Sequence, residues 1–316
     1  MWRYILKRLI LMIPIIIGVT ILIFTIMYFV PGDPTSTILG QNATAEEMAA
    51  KRIELGLDQP YLIRLWDYCK RLFFHFDFGT SYITGRSIGM ELLSRLPRTM
   101  GMCAACIIIA MCVGIPLGVN AAIHHGGFWD NFSMILALIG VSMPVFWVAM
   151  LLVLLFSLKL GWLPSVGYTS IQHYILPCIA NSLSSLAIQA RQTRSGMLEV
   201  IRSDYITTAR AKGLPERKVI FRHALPNALI PVLTIACTNF GKMLGATVVI
   251  ETIFTIPGIG GFMINGVTGR DYPVVMGSVI FLAILFSLIM LLVDLLYAVI
   301  DPRIKAQYAK RAVKSK

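Results

Sequence analysis

A series of uninterrupted apolar stretches, each about as long as a lipid bilayer is thick, narrows what this chain can become. A hydrocarbon core of about 30 Å takes about 20 helical residues. Such runs occur at Leu9–Val30, Met100–Ile123, Asn131–Leu158, Tyr174–Met197, Ala228–Phe254 and Val274–Ile300. A soluble core has no use for them: 57% of the residues are hydrophobic and 14% charged, and the apolar residues come in runs rather than alternations. The sequence predicts an all-α, polytopic membrane protein with six transmembrane helices. The third, fifth and sixth stretches exceed the minimum length, which implies tilt or interfacial ends.

Arg3, Lys7 and Arg8 precede the first stretch as they would in a secretion signal. The apolar run is too long for an h-region, however, and the A-x-A triplet Ala43-Thr44-Ala45 lies well past the break at Val30-Pro31-Gly32-Asp33-Pro34, so an uncleaved anchor is expected. Lys and Arg in short flanking segments set orientation. With the N-terminus inside, the cytoplasmic pieces are the basic start, His124–Asp130, a loop at 198–227, and a tail at 301–316 carrying Arg303, Lys305, Lys310, Arg311, Lys314 and Lys316. The short outer loops hold only Lys159 and Arg270. The net charge of +12 is thus mostly topological and does not point to nucleic acid. The expected organisation is an N-terminus and first helix at 1–30, an extracytoplasmic helical segment at 31–99, a five-helix core at 100–300, and the tail. Both termini are placed on the cytoplasmic side of the membrane.

The long outer segment is patterned as structure. Thr44-Ala45-Glu46-Glu47 has capping-box spacing, the helical pattern runs to Leu55, Gly56 suits a left-handed C-cap, and Pro60 blocks continuation. Tyr61–Phe74 sets Leu62, Leu65, Trp66 and Leu72 among Arg64, Asp67, Lys70 and Arg71. The result is a small helical insertion, either a surface for a soluble partner or an interfacial pair that shields the bundle.

Motifs of chemistry are missing. There is no G-x-x-x-x-G-K-[ST], no G-x-S-x-G and no H-E-x-x-H, so neither an ATPase nor an intramembrane hydrolase is expected, and no cofactor or metal is assigned to this chain. The five histidines are scattered, and His124-His125 reads as a solvated loop pair. Cysteines 103, 106, 112, 178 and 237 fall within expected spans, where Cys103-Ala104-Ala105-Cys106 reads as small packing residues rather than a redox motif. The Asn42-Ala43-Thr44 sequon is taken as accidental.

Transport remains, and intramembrane polar groups bear on it. Lys242 lies about 20 Å into the fifth span at 1.5 Å per residue. Such a charge either faces a water-filled path or snorkels or pairs inside the bundle. Neither Glu251 nor Asp294 matches it in depth. Gly114 with Gly118, and Gly241 with Gly245, place glycines four apart, as close helix approach requires.

One loop breaks the apolar pattern: Thr207 to Pro226 carries Arg210, Lys212, Arg217, Lys218 and Arg222 against the single acid Glu216. Ser203 or Asp204 can cap a short helix through Lys212, Gly213 can end it, and Pro215 suits the first turn of a second helix running toward His223. Tyr205, Ile206 and Ala209 share one side of the first helix, an apolar edge suited to a partner's groove.

This loop resembles the cytoplasmic E-A-A loop of the permeases of ABC-type importers. Thr207-Thr208-Ala209 stands at E-A-A, Gly213 at its glycine, and His223-Ala224-Leu225-Pro226 at the closing I-x-L-P. The departures Thr207 and His223, and Thr208-Ala209-Arg210-Ala211-Lys212-Gly213-Leu214, resemble the peptide/nickel branch. Pro31-Gly32-Asp33-Pro34, Phe78-Gly79-Thr80-Ser81, Glu251-Thr252-Ile253-Phe254, Pro257-Gly258-Ile259-Gly260, Arg270-Asp271-Tyr272-Pro273 and Asp301-Pro302-Arg303 extend the likeness along nearly the whole chain. It is most similar to the first of the two permeases of an oligopeptide or dipeptide importer.

The resemblance implies a type I importer permease fold, pairing with a second permease, two cytoplasmic ATPases that use ATP and Mg, and an extracytoplasmic binding protein. It implies that Ala209 and Gly213 make the tight docking contact and the turn, with Tyr205, Thr207, Thr208, Arg210, Ala211, Lys212, His223 and Pro226 completing the coupling loop. It implies peptides as substrate, with nickel chelates or sugars as alternatives inside the same class. A self-contained ion-coupled carrier or channel also accounts for six spans and Lys242, but leaves the basic loop without a role.

Overall fold

The computed structural model describes residues 2–40 and 43–300; the tail at 301–316 and Asn42 of the sequon lie outside them. Regular structure among the described residues is helical, apart from an isolated antiparallel bridge between Thr80 and Ser87. The described residues form two units, one from the N-terminal part up to residue 99 with 255–288, the other from 100–254 with 289–300.

The first unit holds α1 (Trp2–Phe29), α2 (Pro34–Leu39), α3 (Ala45–Glu54), α4 (Tyr61–His75), the start of α5 (Ile88–Ile123), α12 (Ile259–Thr268) and most of α13 (Tyr272–Ile300). The insertion forms largely as patterned. Thr44 caps α3, its hydroxyl accepting from the Glu47 N–H at 3.3 Å while Glu47 Oε2 accepts from the Thr44 N–H at 2.8 Å. Gly56 follows with φ +64°. Two features depart from expectation. Asp33 caps an unforeseen short helix, α2, through the Thr35 N–H, and α4 buries Tyr68 and Leu72 while Leu62 and Trp66 stay exposed. Tyr68 and Leu72 pack with Phe24 of α1 and with Met276 and Ile280 of α13.

At 36 residues α5 is about 54 Å long, well over a bilayer's apolar thickness. It begins at Ile88 rather than near Met100 because its first turns have their own core, Ile88 and Leu92 against Ile259 and Val274.

The second unit contains the rest of α5, α6 (Phe128–Ser142), α7 (Val145–Leu152) continuing as a π-helical stretch Val153–Lys159, α8 (Gln172–Ile201), α9 (Asp204–Ala211), α10 (Glu216–Lys218) and α11 (Leu225–Ile253). A π-turn, Val219–Ala224, joins α10 to α11. All six expected stretches are helical, and among the described residues four helices (α1, α5, the rod from Glu216 to Ile253, and α13) are long and apolar enough to cross a membrane singly. The third stretch is not one tilted span: α6 and α7 meet at 102°. Pro144 forces the break, since the residue before a proline is pushed out of the α region, and Met143 sits at φ −79°, ψ 130°.

The fourth stretch, α8, has the length of a span at 30 residues but a polar face, and that face is inside. Asn181, Ser182, Ser185, Gln189 and Thr193 are buried where α8 packs against its neighbours, α6, α7 and α11 among them. The glycine pair of α5 meets the same helix: a Cβ on Gly114 would stand 2.8 Å from the Leu186 carbonyl oxygen, and one on Gly118 would stand 2.6 Å from the Thr193 Cβ. Neither approach is possible with a side chain. The second pair differs, for nothing lies within 4 Å of a Cβ on Gly245.

Candidate functional site

The basic loop folds as a short helix braced by an apolar underside. Along α9, Ile206 and Ala209 turn inward to a core made by Val119 and Ala122 at the end of α5, Met197 near the end of α8, Val219, Ile220 and Ala224 of the π-turn, and Ala228 of α11. Thus α9 is seated on the ends of three long helices. Ala209, expected at the docking contact, is 8% exposed and packs inside this chain, where its small side chain lets α9 sit close. Tyr205, Thr207, Thr208, Arg210, Ala211, Lys212 and Gly213 are on the open side.

Local hydrogen bonds fix the helix ends. Ser203 is the N-cap residue, but its hydroxyl donates to the Val200 carbonyl at 2.6 Å instead of capping α9. At the other end the Gly213 N–H bonds the Arg210 carbonyl at 2.9 Å and the Leu214 N–H bonds the Ala209 carbonyl at 3.4 Å. With Gly213 at φ +75°, this is the paired 5→2 and 6→1 closure of a Schellman motif, Leu214 packing back on the core beneath Ala209. Across the turn, Arg210 makes a two-pronged bond to Glu216, Nη2–Oε1 2.6 Å and Nε–Oε2 3.1 Å.

The hinge at Gly213-Leu214-Pro215 is present, but the helix after it does not end near His223. It runs on as α11, and the π-turn is what allows this. Proline within a helix removes a hydrogen bond and crowds the carbonyl four residues earlier, and the wider turn immediately before Pro226 relieves that crowding. The His223 carbonyl accepts from Asn227 Nδ2 at 3.2 Å and from the Tyr205 hydroxyl at 3.5 Å, while Asn227 Nδ2 also donates to the Tyr205 oxygen at 2.8 Å. Tyr205 therefore fastens α9 to the foot of α11.

A cluster that the sequence did not reveal flanks this region. Asp130, 2% exposed in the first turn of α6, accepts from Arg194 of α8 at 2.5 and 2.7 Å and from the Gly126 N–H at 2.9 Å. His125, expected as a solvated loop residue, has Nδ1 3.2 Å from the Asp130 carboxylate and 3.1 Å from Arg194 Nη2. The charges are 64 residues apart in sequence.

Lys242 is exposed on the surface of α11 and forms no ion pair among the described residues. Glu251, about two and a half turns of helix on, is fully buried. The cysteines are free thiols; Cys103 and Cys106 are wholly buried packing residues, Cys103 Sγ lying 3.2 Å from the Thr247 hydroxyl.

These features define a polytopic helical membrane protein with a braced, outward-facing helix on one loop. The profile described as the binding-protein-dependent transport system inner membrane component matches residues 114–306, and that of its N-terminal membrane component matches residues 1–103. The chain is 41% identical over 333 residues to a dipeptide transport system permease protein of Alkalihalophilus pseudofirmus, covering 96% of this chain and 100% of that one. It is 41% identical over 305 residues to a glutathione transport system permease protein of Salmonella typhimurium, covering 96% and 99%. It is 42% identical over 313 residues to a putative peptide transport system permease protein of Brucella abortus, again covering 96% and 99%. An inward-facing structure of the MetNI methionine ABC transporter aligns with a TM-score of 0.57 at 18% identity, over 67% of this chain and 97% of that one, which supports the fold. This chain belongs to the binding-protein-dependent transport system inner membrane component family and is a permease subunit of ABC type.

Proposed function

We propose that this protein is one permease half of an ATP-driven importer of short peptides. The likeness along almost its full length to permeases whose named cargoes are dipeptides, glutathione and peptides carries the reading of substrate. In this proposal a second permease completes the path, an extracytoplasmic binding protein delivers the peptide, and two cytoplasmic subunits bind ATP and Mg. Both chain ends and α9 lie on the cytoplasmic side, and residues 31–99 lie outside.

The brace beneath α9 supports a mechanism. ATPase closure pushes on the open side, at Tyr205, Thr207, Thr208, Arg210, Ala211 and Lys212. Because Ile206 and Ala209 are set in a core shared by the ends of α5, α8 and α11, displacement of α9 carries those helices with it. Coupling requires that docking be stronger in one state of the permease pair than in the other, since equal affinity shifts no equilibrium. Lys242, on the open face of α11, is assigned to the path or to the boundary between the two permeases.

The test is reconstitution of this chain with its companion permease, ATPases and binding protein, followed by uptake of a labelled dipeptide. Uptake that needs ATP and survives collapse of ion gradients is expected. Uptake by this chain alone, abolished when the gradient is lost, would make it a self-contained carrier.

A further inference from the structure

In the first unit, residues 24–82 and the start of α13 enclose a polar cleft that coupling does not use. It consists of two adjoining hollows of about 300 and 360 Å³ that share Phe24, Arg64, Tyr82 and Met276. Its frame is fixed by three of the short motifs. Buried Asp271 accepts from the Ser81 hydroxyl at 2.5 Å and from the Tyr82 N–H at 3.1 Å, and the Tyr272 hydroxyl donates to the Gly32 carbonyl at 3.1 Å. Sequence separations of 190 and 240 residues are closed by these bonds.

The charges inside are arranged unevenly. Arg52 is paired with Asp33 at 3.1 Å, and Glu54 with Lys51 at 2.7 Å. Arg64, half-buried at the junction of the hollows, lies with its guanidinium 5.5 Å from the centre of the Tyr28 ring and has no carboxylate partner among the described residues. Stacking on a ring occupies a guanidinium's face and leaves its N–H edge to bind. Tyr82 beside it keeps its proton: burial pushes the phenol up, and Arg64 and Arg71 pull it back only in part. Asp67 and Asp77 line the second hollow together with Arg71, whose Nε is spent on the Asp67 backbone carbonyl at 3.4 Å and not on either carboxylate.

A phosphate-rich or anionic lipid ligand would meet these carboxylates and be repelled, whereas a ligand with one charge of each sign satisfies both ends. The hollows are of a size that suits a small molecule. We propose that this cleft binds a short zwitterionic peptide, its carboxylate on Arg64 and its ammonium group toward Asp67 and Asp77. This rests on the peptide-import reading and adds a site within this chain.

The probe is L-alanyl-L-alanine, with its C-terminal amide, titrated by calorimetry into the assembled transporter without its binding protein. Arg64→Gln should weaken the free dipeptide about tenfold or more, as loss of a charge-assisted bond implies, and Arg64→Lys should recover most of it. Amidation should cost wild type the same factor and cost Arg64→Gln nothing. No binding by wild type, or an equal amidation cost in both proteins, overturns the site without requiring any variant to be better folded. Dipeptide uptake by the same preparation with binding protein and ATP separates the readings: intact uptake with unchanged Arg64→Gln binding sinks the site alone, and absent uptake sinks peptide import as well.

Discussion

Gly213 serves the turn after α9 through its backbone conformation rather than through side-chain space, because φ is +75° and nothing stands within 4 Å of a Cβ there. A β-branched residue in that conformation costs about 1–2 kcal/mol or more, while asparagine tolerates it. Gly213→Val should therefore leave a monodisperse membrane protein whose peptide uptake falls severalfold relative to ATP consumed, and Gly213→Asn should retain most coupling; the ratio of uptake to hydrolysis in proteoliposomes is the measurement. The Asp130–Arg194 pair behaves differently, since removing one partner strands a buried charge. Arg194→Ala is expected to cost about 3–5 kcal/mol, and Asp130→Leu with Arg194→Leu distinctly less. Thermal unfolding in detergent of the single and double variants gives the comparison. Gly213 was legible in the sequence because its role is local. The Asp130–Arg194 pair was not, because nothing in either neighbourhood states which helix lies opposite.

At the scale of elements, helix existence followed from composition and helix contact did not. Gly114 and Gly118 do bring α5 onto α8, whereas the identically spaced Gly241 and Gly245 leave Gly245 facing open space within this chain. Gly118→Val should thus abolish stable folding, seen as loss of the monodisperse peak in size-exclusion chromatography, because its methyls would overlap α8 backbone. Gly245→Val should leave the lone chain stable; a loss confined to the assembled transporter would place the second permease on that face. The α6–α7 corner shows why a long apolar run is not always one span. Pro144 had been visible in the sequence, but hydropathy averages over it while backbone sterics do not. The reverse holds for α8, whose buried Asn181, Gln189 and Thr193 depress its hydropathy without exposing it to lipid.

For the whole molecule, orientation is the property that most directly tests the proposal. A reporter that is active only outside the membrane should work when fused after Arg86 and fail when fused after Gly213; the opposite pattern would put α9 beyond reach of any cytoplasmic ATPase. Lys242→Met should alter dipeptide uptake in the assembled transporter while leaving the purified chain's thermal stability within about 0.5 kcal/mol, as for an exposed position; unchanged uptake would remove the residue from the path. The sequence by itself determined that the chain is a helical membrane protein built on long apolar helices, where the hinge at Gly213 falls, and which family its motifs resemble. Those properties depend on apolar length, on backbone preferences of single residues and on short patterns, all of which are written locally. Only the tertiary structure decided that Ala209 faces inward, that Asp130 and Arg194 neutralise each other, and that Ser81 meets Asp271 and Tyr272 meets Gly32. These depend on which helix surfaces meet, and in a chain so uniformly apolar many pairings bury similar area, so steric fit at glycines and the pairing of a few polar groups select among them.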